Sequence, residues 1–154
     1  METVLKPLLE LLQEVYIGTT EHSWVIDAKP GHGFSAAIAT INAQQASTPL
    51  VEGGTTVASH TEHLRWSIYF ALKFYQGEKP VGNWEESWEV HAVDEEQWAR
   101  LQRDLREAYE QLILAIKGVK DWSNPQLVQG TLAMLPHAAY HLGAVKQMLK
   151  SIGN

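Results

Sequence analysis

Two histidines near the C-terminus stand four residues apart in Met134-Leu135-Pro136-His137-Ala138-Ala139-Tyr140-His141-Leu142-Gly143. On a helix that spacing puts both imidazoles on one face, one turn apart. The face is apolar, because Met134, His137, Ala138, His141, Val145, Met148 and Ile152 recur at helical intervals. Buried imidazoles need partners, and one metal ion serves both. A third candidate, His60, lies on the inner stripe of an earlier helix with Val57, Leu64, Ile68, Ala71 and Tyr75. Three neutral imidazoles and one open position are the donor set of a catalytic-type zinc site, and divalent nickel or iron accepts them too. The competing reading is three separate core histidines, each bonded to a carbonyl or hydroxyl. His63 sits one turn beyond His60, rotated by about 60° round the helix, which places it at the edge of such a site.

Several other chemistries are excluded by what is missing. His137-Ala138-Ala139-Tyr140-His141 lacks the glutamate of the H-E-x-x-H metalloproteases. None of the seven histidines has a glutamate three residues before it, so the E-x-x-H signature of di-iron bundles is absent. There is no G-x-S-x-G and no phosphate-binding glycine loop. The chain has no cysteine, which rules out disulfides, thiolate ligands and a cysteine nucleophile. A net charge of −6 with dispersed acids and bases argues against nucleic acid as a partner.

The elements that would position these histidines can be read from periodicity. Val4, Leu5, Leu8, Leu9, Leu12, Val15 and Tyr16 predict a first helix over about residues 3–20, with Pro7 tolerated in its first turns. Lys29-Pro30-Gly31-His32-Gly33 is a cluster of turn formers, followed by a short helix over roughly Phe34 to Ala46 that lies across the rest. A long helix runs from Thr55 to about Tyr75, closed by Gly77 and Pro80. Residues 77–93 form a loop with Trp84, Trp88 and His91. Asp94 and Gln97 make a capping box for a helix with the seam Trp98, Leu101, Leu105, Ala108, Leu112 and Ile116, ending at Gly118. Asn124-Pro125 opens the last helix, which continues to about Ser151.

Four long amphipathic helices and no convincing strand predict an all-α fold, a four-helix bundle whose long first crossover carries a short extra helix. At 154 residues the chain is expected to be a single domain, 1–154, with a core of its own. No apolar run approaches the ~18 residues of a membrane span, and no secretory signal is visible, so a cytoplasmic protein is expected.

Val57-Ala58-Ser59-His60-Thr61-Glu62-His63-Leu64, together with His137-Ala138-Ala139-Tyr140-His141-Leu142-Gly143, resembles the DinB/YfiT-like superfamily of bacterial proteins. The resemblance extends over nearly the whole chain in the order and spacing of helices, and the two histidines of the last helix carry most of its specificity. It implies a four-helix bundle holding a divalent metal, zinc or nickel or alternatively iron, on His60, His137 and His141. Members with assigned roles include transferases that use bacillithiol, mycothiol or glutathione, and a mycothiol-dependent maleylpyruvate isomerase. The implied chemistry is a metal with an open position that activates a water or a thiol, as in a hydrolase or a thiol S-transferase acting on a small molecule. His63 and Glu62 are then the candidate proton handlers, against a solvated helix face as the competing role for Glu62. Trp24, Trp66, Trp84 and Trp88 either line an apolar mouth over the metal or cap the end of the bundle. Tyr140 is expected to pack on a neighbouring helix, Gly143 to permit close helix approach, and Pro136 to kink the helix beside the ligands. A homodimer through bundle-side surfaces is also expected. The rival class is a non-catalytic, metal-stabilised bundle that serves in stress response or protein interaction.

Overall fold

Thr56 starts the helix that everything else packs against. Its hydroxyl accepts from the Ser59 amide at 3.1 Å, and the Ser59 hydroxyl accepts from the Thr56 amide at 2.8 Å, so two otherwise orphaned donors are satisfied at once. In the computed structural model, which describes residues 2–152, this helix is the fourth of six. The helices are α1 (Glu2–Tyr16), α2 (Phe34–Ile38), α3 (Ala43–Ala46), α4 (Val57–Tyr75), α5 (Glu95–Gly118) and α6 (Pro125–Ile152), with a 3-10 turn at Glu86–Trp88. Among the described residues there is no strand, so the molecule is all-α. Nor is any helix of the described residues long and apolar enough to cross a membrane.

Four long helices share one apolar core. α4 lies against both α5 and α6, and α6 lies against α1. Tyr16 of α1 meets Tyr109 of α5 with ring centroids 5.0 Å apart, which completes the circuit. Leu12, Leu64, Ile68, Leu105, Leu112, Ile116 and Val145 are fully buried where the four meet. The stripes predicted on α4, α5 and α6 are the faces that reach this core. One feature of α4 departs from a simple stripe. Every residue from Val57 to Leu64 is buried, because α3, α5, α6 and the 3-10 turn enclose its first two turns from all sides.

The capping signals fall where the sequence put them. Asp94 and Gln97 form the capping box of α5, and Asn124 accepts from the Gln126 amide at 3.0 Å to open α6. Gly77, at φ +82°, lets the chain turn out of α4. The first helix stops at Tyr16 rather than near residue 20, because Gly18 at φ +106° turns the backbone away. The single short helix expected over Phe34–Ala46 is two pieces. Between them the Thr40 hydroxyl bonds the Ala37 carbonyl and Asn42 becomes the cap of α3, both of which compete with continuous helix.

The long crossover between α1 and α4 is pinned by side chains. Glu14, buried on α1, accepts from the amides of Trp24, Val25 and Ile26 at 2.6–3.0 Å. Burial pushes its carboxyl up, but the hydrogen bonds from Ile26, Val25 and Trp24 outweigh that and hold it below the ordinary carboxylate range. Gly33 lies so close to the Ile17–Gly18 backbone that a Cβ there would sit 2.2 Å from the Ile17 carbonyl carbon. Further on, the Trp98 indole donates to the Ile41 carbonyl at 3.0 Å, and Glu95 accepts from the Ala43 amide at 3.1 Å.

Candidate metal centre

α4 and α6 each bring two histidines to a common point. The rise of one turn sets His137 above His141 on α6, and their rings meet edge to face at 4.6 Å. His63 from α4 faces both. Its Nε2 is 3.0 Å from Nε2 of His137, which is in turn 3.1 Å from Nε2 of His141. One nitrogen from each of His63, His137 and His141 lies within 4.8 Å of the other two. In a tetrahedral zinc site with bonds of about 2.0–2.1 Å the ligand nitrogens are about 3.3 Å apart. Two edges of this triangle already have nearly that length.

Two of the three nitrogens that face away from the triangle have partners. Nδ1 of His63 is 2.7 Å from the Ser87 hydroxyl, and that hydroxyl donates to the Trp84 carbonyl at 2.6 Å. With its only proton committed there, Ser87 accepts from His63, which fixes the proton of His63 on Nδ1 and leaves its Nε2 lone pair pointing into the triangle. Nδ1 of His141 is 2.8 Å from Nδ1 of His60, whose Nε2 is 3.1 Å from the Thr55 hydroxyl. Three Nε2 atoms therefore converge, and at most one hydrogen lies between each pair. A cation at the centre satisfies all three lone pairs at once.

Burial keeps these imidazoles neutral. It depresses the pKa of His63 to about 4, helped by His137 and His60. His141 is pushed down to about 3, by burial first and then by His137, His60 and His63. Burial lowers His60 and His137 as well. Neutral imidazole is the form that ligates metal.

The set of converging residues differs from the one expected from the sequence in one member. His60 was expected among the three ligands and His63 beside them; the nitrogens that converge are those of His63, His137 and His141, and His60 meets the group through Nδ1 of His141. The inner-stripe rule ranks His60 above His63 only where a helix has a wet face. The first two turns of α4 have almost none, with only Glu62 lining an open cleft, so both rings are inside, His63 at 6% exposure and His60 also at 6%. Glu62 is not brought to the imidazoles. Arg65 holds both of its oxygens, at 2.6 and 2.7 Å, beside an open cleft of about 700 Å³ that Arg100 and Asp104 also line, on the α5 side of α4.

The tryptophans divide. Trp88 stacks on His63 at 4.1 Å and meets His60 edge-on at 5.3 Å, and Trp84 lies 6.2 Å from His63. Trp66 stacks on Phe70 behind Trp84, one layer out. Trp24 is elsewhere, exposed beside His22. Tyr140 does not pack on a neighbouring helix. It is 71% exposed, with its ring perpendicular to that of His141 at 5.0 Å. Gly143 permits no close approach, since a Cβ there would meet nothing within 4 Å. Pro136 sits inside α6, which continues through it. Ser87 and Thr55 are the site residues that the sequence did not single out. A serine in a loop carries no periodic signal, and only the fold of residues 77–93 over α4 brings it to His63.

No family model, no curated protein and no solved structure matches the chain. The site must be judged on its own geometry.

Proposed function

We propose that this protein is a metal-dependent enzyme built on a DinB-like four-helix bundle, with one divalent ion held by His63, His137 and His141. The observation that carries the reading is the convergence of three Nε2 atoms, with two of the three outward nitrogens tied to other side chains. All-histidine donors favour zinc or nickel, with iron as the next choice. When bound, such an ion lowers the pKa of a water or thiol and supplies a nucleophile at neutral pH. The residues of the chain do the rest. Ser87 and His60 orient two of the ligands, Trp88 excludes water from the His63 face, and the half-buried His137 marks the side from which a small molecule would enter. A low-molecular-weight thiol, or an ester or amide, is the substrate class that suits such a centre.

One observation favours a second reading. His141 is 2% exposed and His63 6% exposed, which is deep for a site that must admit substrate. A metal that only stabilises the helices would have the same donors closed off by a fourth ligand. Elemental analysis after chelation and reconstitution tests the shared premise. One ion per chain is expected in the wild type, and none in His63→Ala, His137→Ala or His141→Ala. Full metal content in any of the three variants removes that residue from the ligand set. Solvent relaxation measured on the manganese- or cobalt-loaded protein separates the two readings, since only an enzyme-type site exchanges its fourth ligand with bulk water.

A further inference from the structure

His60 is a buried imidazole that stands outside the converging triangle, yet it touches it. Its Nδ1 meets Nδ1 of His141 at 2.8 Å, on the far edge of that ring from the Nε2 that faces His137. Its own far nitrogen, Nε2, meets the hydroxyl of Thr55 at 3.1 Å, and Thr55 is exposed. Trp88 bounds it on another side, perpendicular at 5.3 Å. The ring is thus held between two hydrogen-bonding groups and an aromatic edge, with no freedom to turn a nitrogen towards the triangle without breaking both bonds.

We infer that His60 is a positioning residue, a neutral imidazole that fixes His141 in the tautomer able to bind metal. The inference rests on the metal reading above. For Nε2 of His141 to ligate, its proton must be on Nδ1, and His60 Nδ1 must then accept it. That places the proton of His60 on Nε2, where the Thr55 hydroxyl accepts. The opposite polarity, with Thr55 donating to His60 and His60 to His141, would put the proton of His141 on Nε2 and block the site. Thr55 can donate or accept, so the string can run either way, and metal selects one direction. His63 has no such choice, because the Trp84 carbonyl can only accept from Ser87. The two ligands of this pair therefore differ in kind. One is preset by a carbonyl, while the other is set by a string of reversible polarity that ends at the surface.

The test uses the full chain, freed of metal and titrated with cobalt(II) alone, in wild type, His60→Ala, His60→Gln and Thr55→Val, with helicity checked by circular dichroism. An outer partner of a metal-bound histidine changes affinity about 10–100-fold when removed. His60→Ala should weaken cobalt by that factor with one ion still bound and the visible bands of the site retained. His60→Gln, whose amide oxygen accepts from Nδ1, should recover most of the affinity. In long-range ¹H–¹⁵N spectra of the zinc-loaded protein, the hydrogen-bonded Nδ1–H of His141 should be seen in wild type and His60→Gln and lost to solvent exchange in His60→Ala. If His60→Ala does not fold, His60→Gln and Thr55→Val carry the comparison. Unchanged affinity in His60→Ala overturns the positioning role while leaving the metal centre intact. Loss of stoichiometric metal in both His60 variants also overturns it, because His60 would then be a ligand. A wild type that takes no cobalt or zinc overturns the metal centre itself.

Discussion

Ser87 shows how much of a site can depend on one hydroxyl. It is fully buried, it has one proton, and the Trp84 carbonyl takes that proton at 2.6 Å. What remains is an acceptor 2.7 Å from Nδ1 of His63, so the ring is oriented and its tautomer chosen before any ion arrives. Ser87→Ala should therefore keep the fold and lower zinc or cobalt affinity by about 10–100-fold, the cost of freeing an outer partner. Competition with a chromophoric chelator would measure it. Affinity equal to wild type would mean that stacking on Trp88 alone holds His63 in place. Glu14 is a second residue whose contribution can be isolated. Three consecutive amides converge on its carboxylate, and charged hydrogen bonds are worth about 1.5–3 kcal/mol each when buried. Glu14→Ala should lower stability to denaturant by roughly 2–3 kcal/mol, about the worth of one such bond, because three amides that share one carboxylate oxygen do not add. It should leave metal content at the wild-type level, since the histidine that Trp24 meets is His22 and not one of the cluster.

At the scale of elements, sequence and structure agree where local chemistry decides and part where packing decides. The caps Asp94 and Asn124, the seam of α5 and the inward stripe of α6 were all legible, because each is written in residues within one or two turns. His137 and His141 were legible as a pair for the same reason. His63 was not separable from His60, because enclosure of α4 on all sides comes from helices and a loop distant in sequence. Two glycines make the same point in opposite directions. Gly143 has open space around its Cβ position and sits inside a helix. Gly143→Ala should raise stability by about 0.5–1 kcal/mol through helix propensity alone. Gly33 has an unremarkable extended backbone, and only contact with Ile17 and Gly18 makes it necessary. Gly33→Ala forces backbone apart, so a loss of about 1–3 kcal/mol is expected, the usual cost of overpacking. Urea midpoints for the two variants check both signs. A stabilised Gly33→Ala would show that the crossover does not bear on α1 as closely as the contact implies.

For the whole molecule, the cluster of neutral histidines ties stability to pH and, on the proposed metal reading, to metal as well. His63 and His141 have folded-state pKa values of about 4 and about 3, depressed mainly by burial, against about 6.5 when unfolded. Below pH 6.5 the unfolded chain takes up protons that the folded chain refuses, so stability must fall with pH across the window from about 6.5 down to 4 and below. The Glu14 carboxyl, also held down, adds a further loss at the lower end of that window. A bound ion would act against that loss. An ion that binds only the folded state at one hundred times its Kd adds about 2.7 kcal/mol, or on the order of 5–10 °C in Tm for a chain of this length. Ligation requires the neutral rings, and those of His63 and His141 stay neutral in the fold down to about pH 4, so the zinc increment should be largely kept between pH 7.5 and pH 5 and lost only as the pH falls through about 4. Thermal melts at the two pH values, with excess zinc and with chelator, give four numbers. The chelated protein should melt lower at pH 5 than at pH 7.5, and zinc should raise Tm by nearly the same amount at both. A zinc increment that collapses already at pH 5 would show that the ligating groups take up protons well above pH 4, against the depressed values of His63 and His141. A chelated protein that melts higher at pH 5 would show that the histidines are not held neutral in the fold.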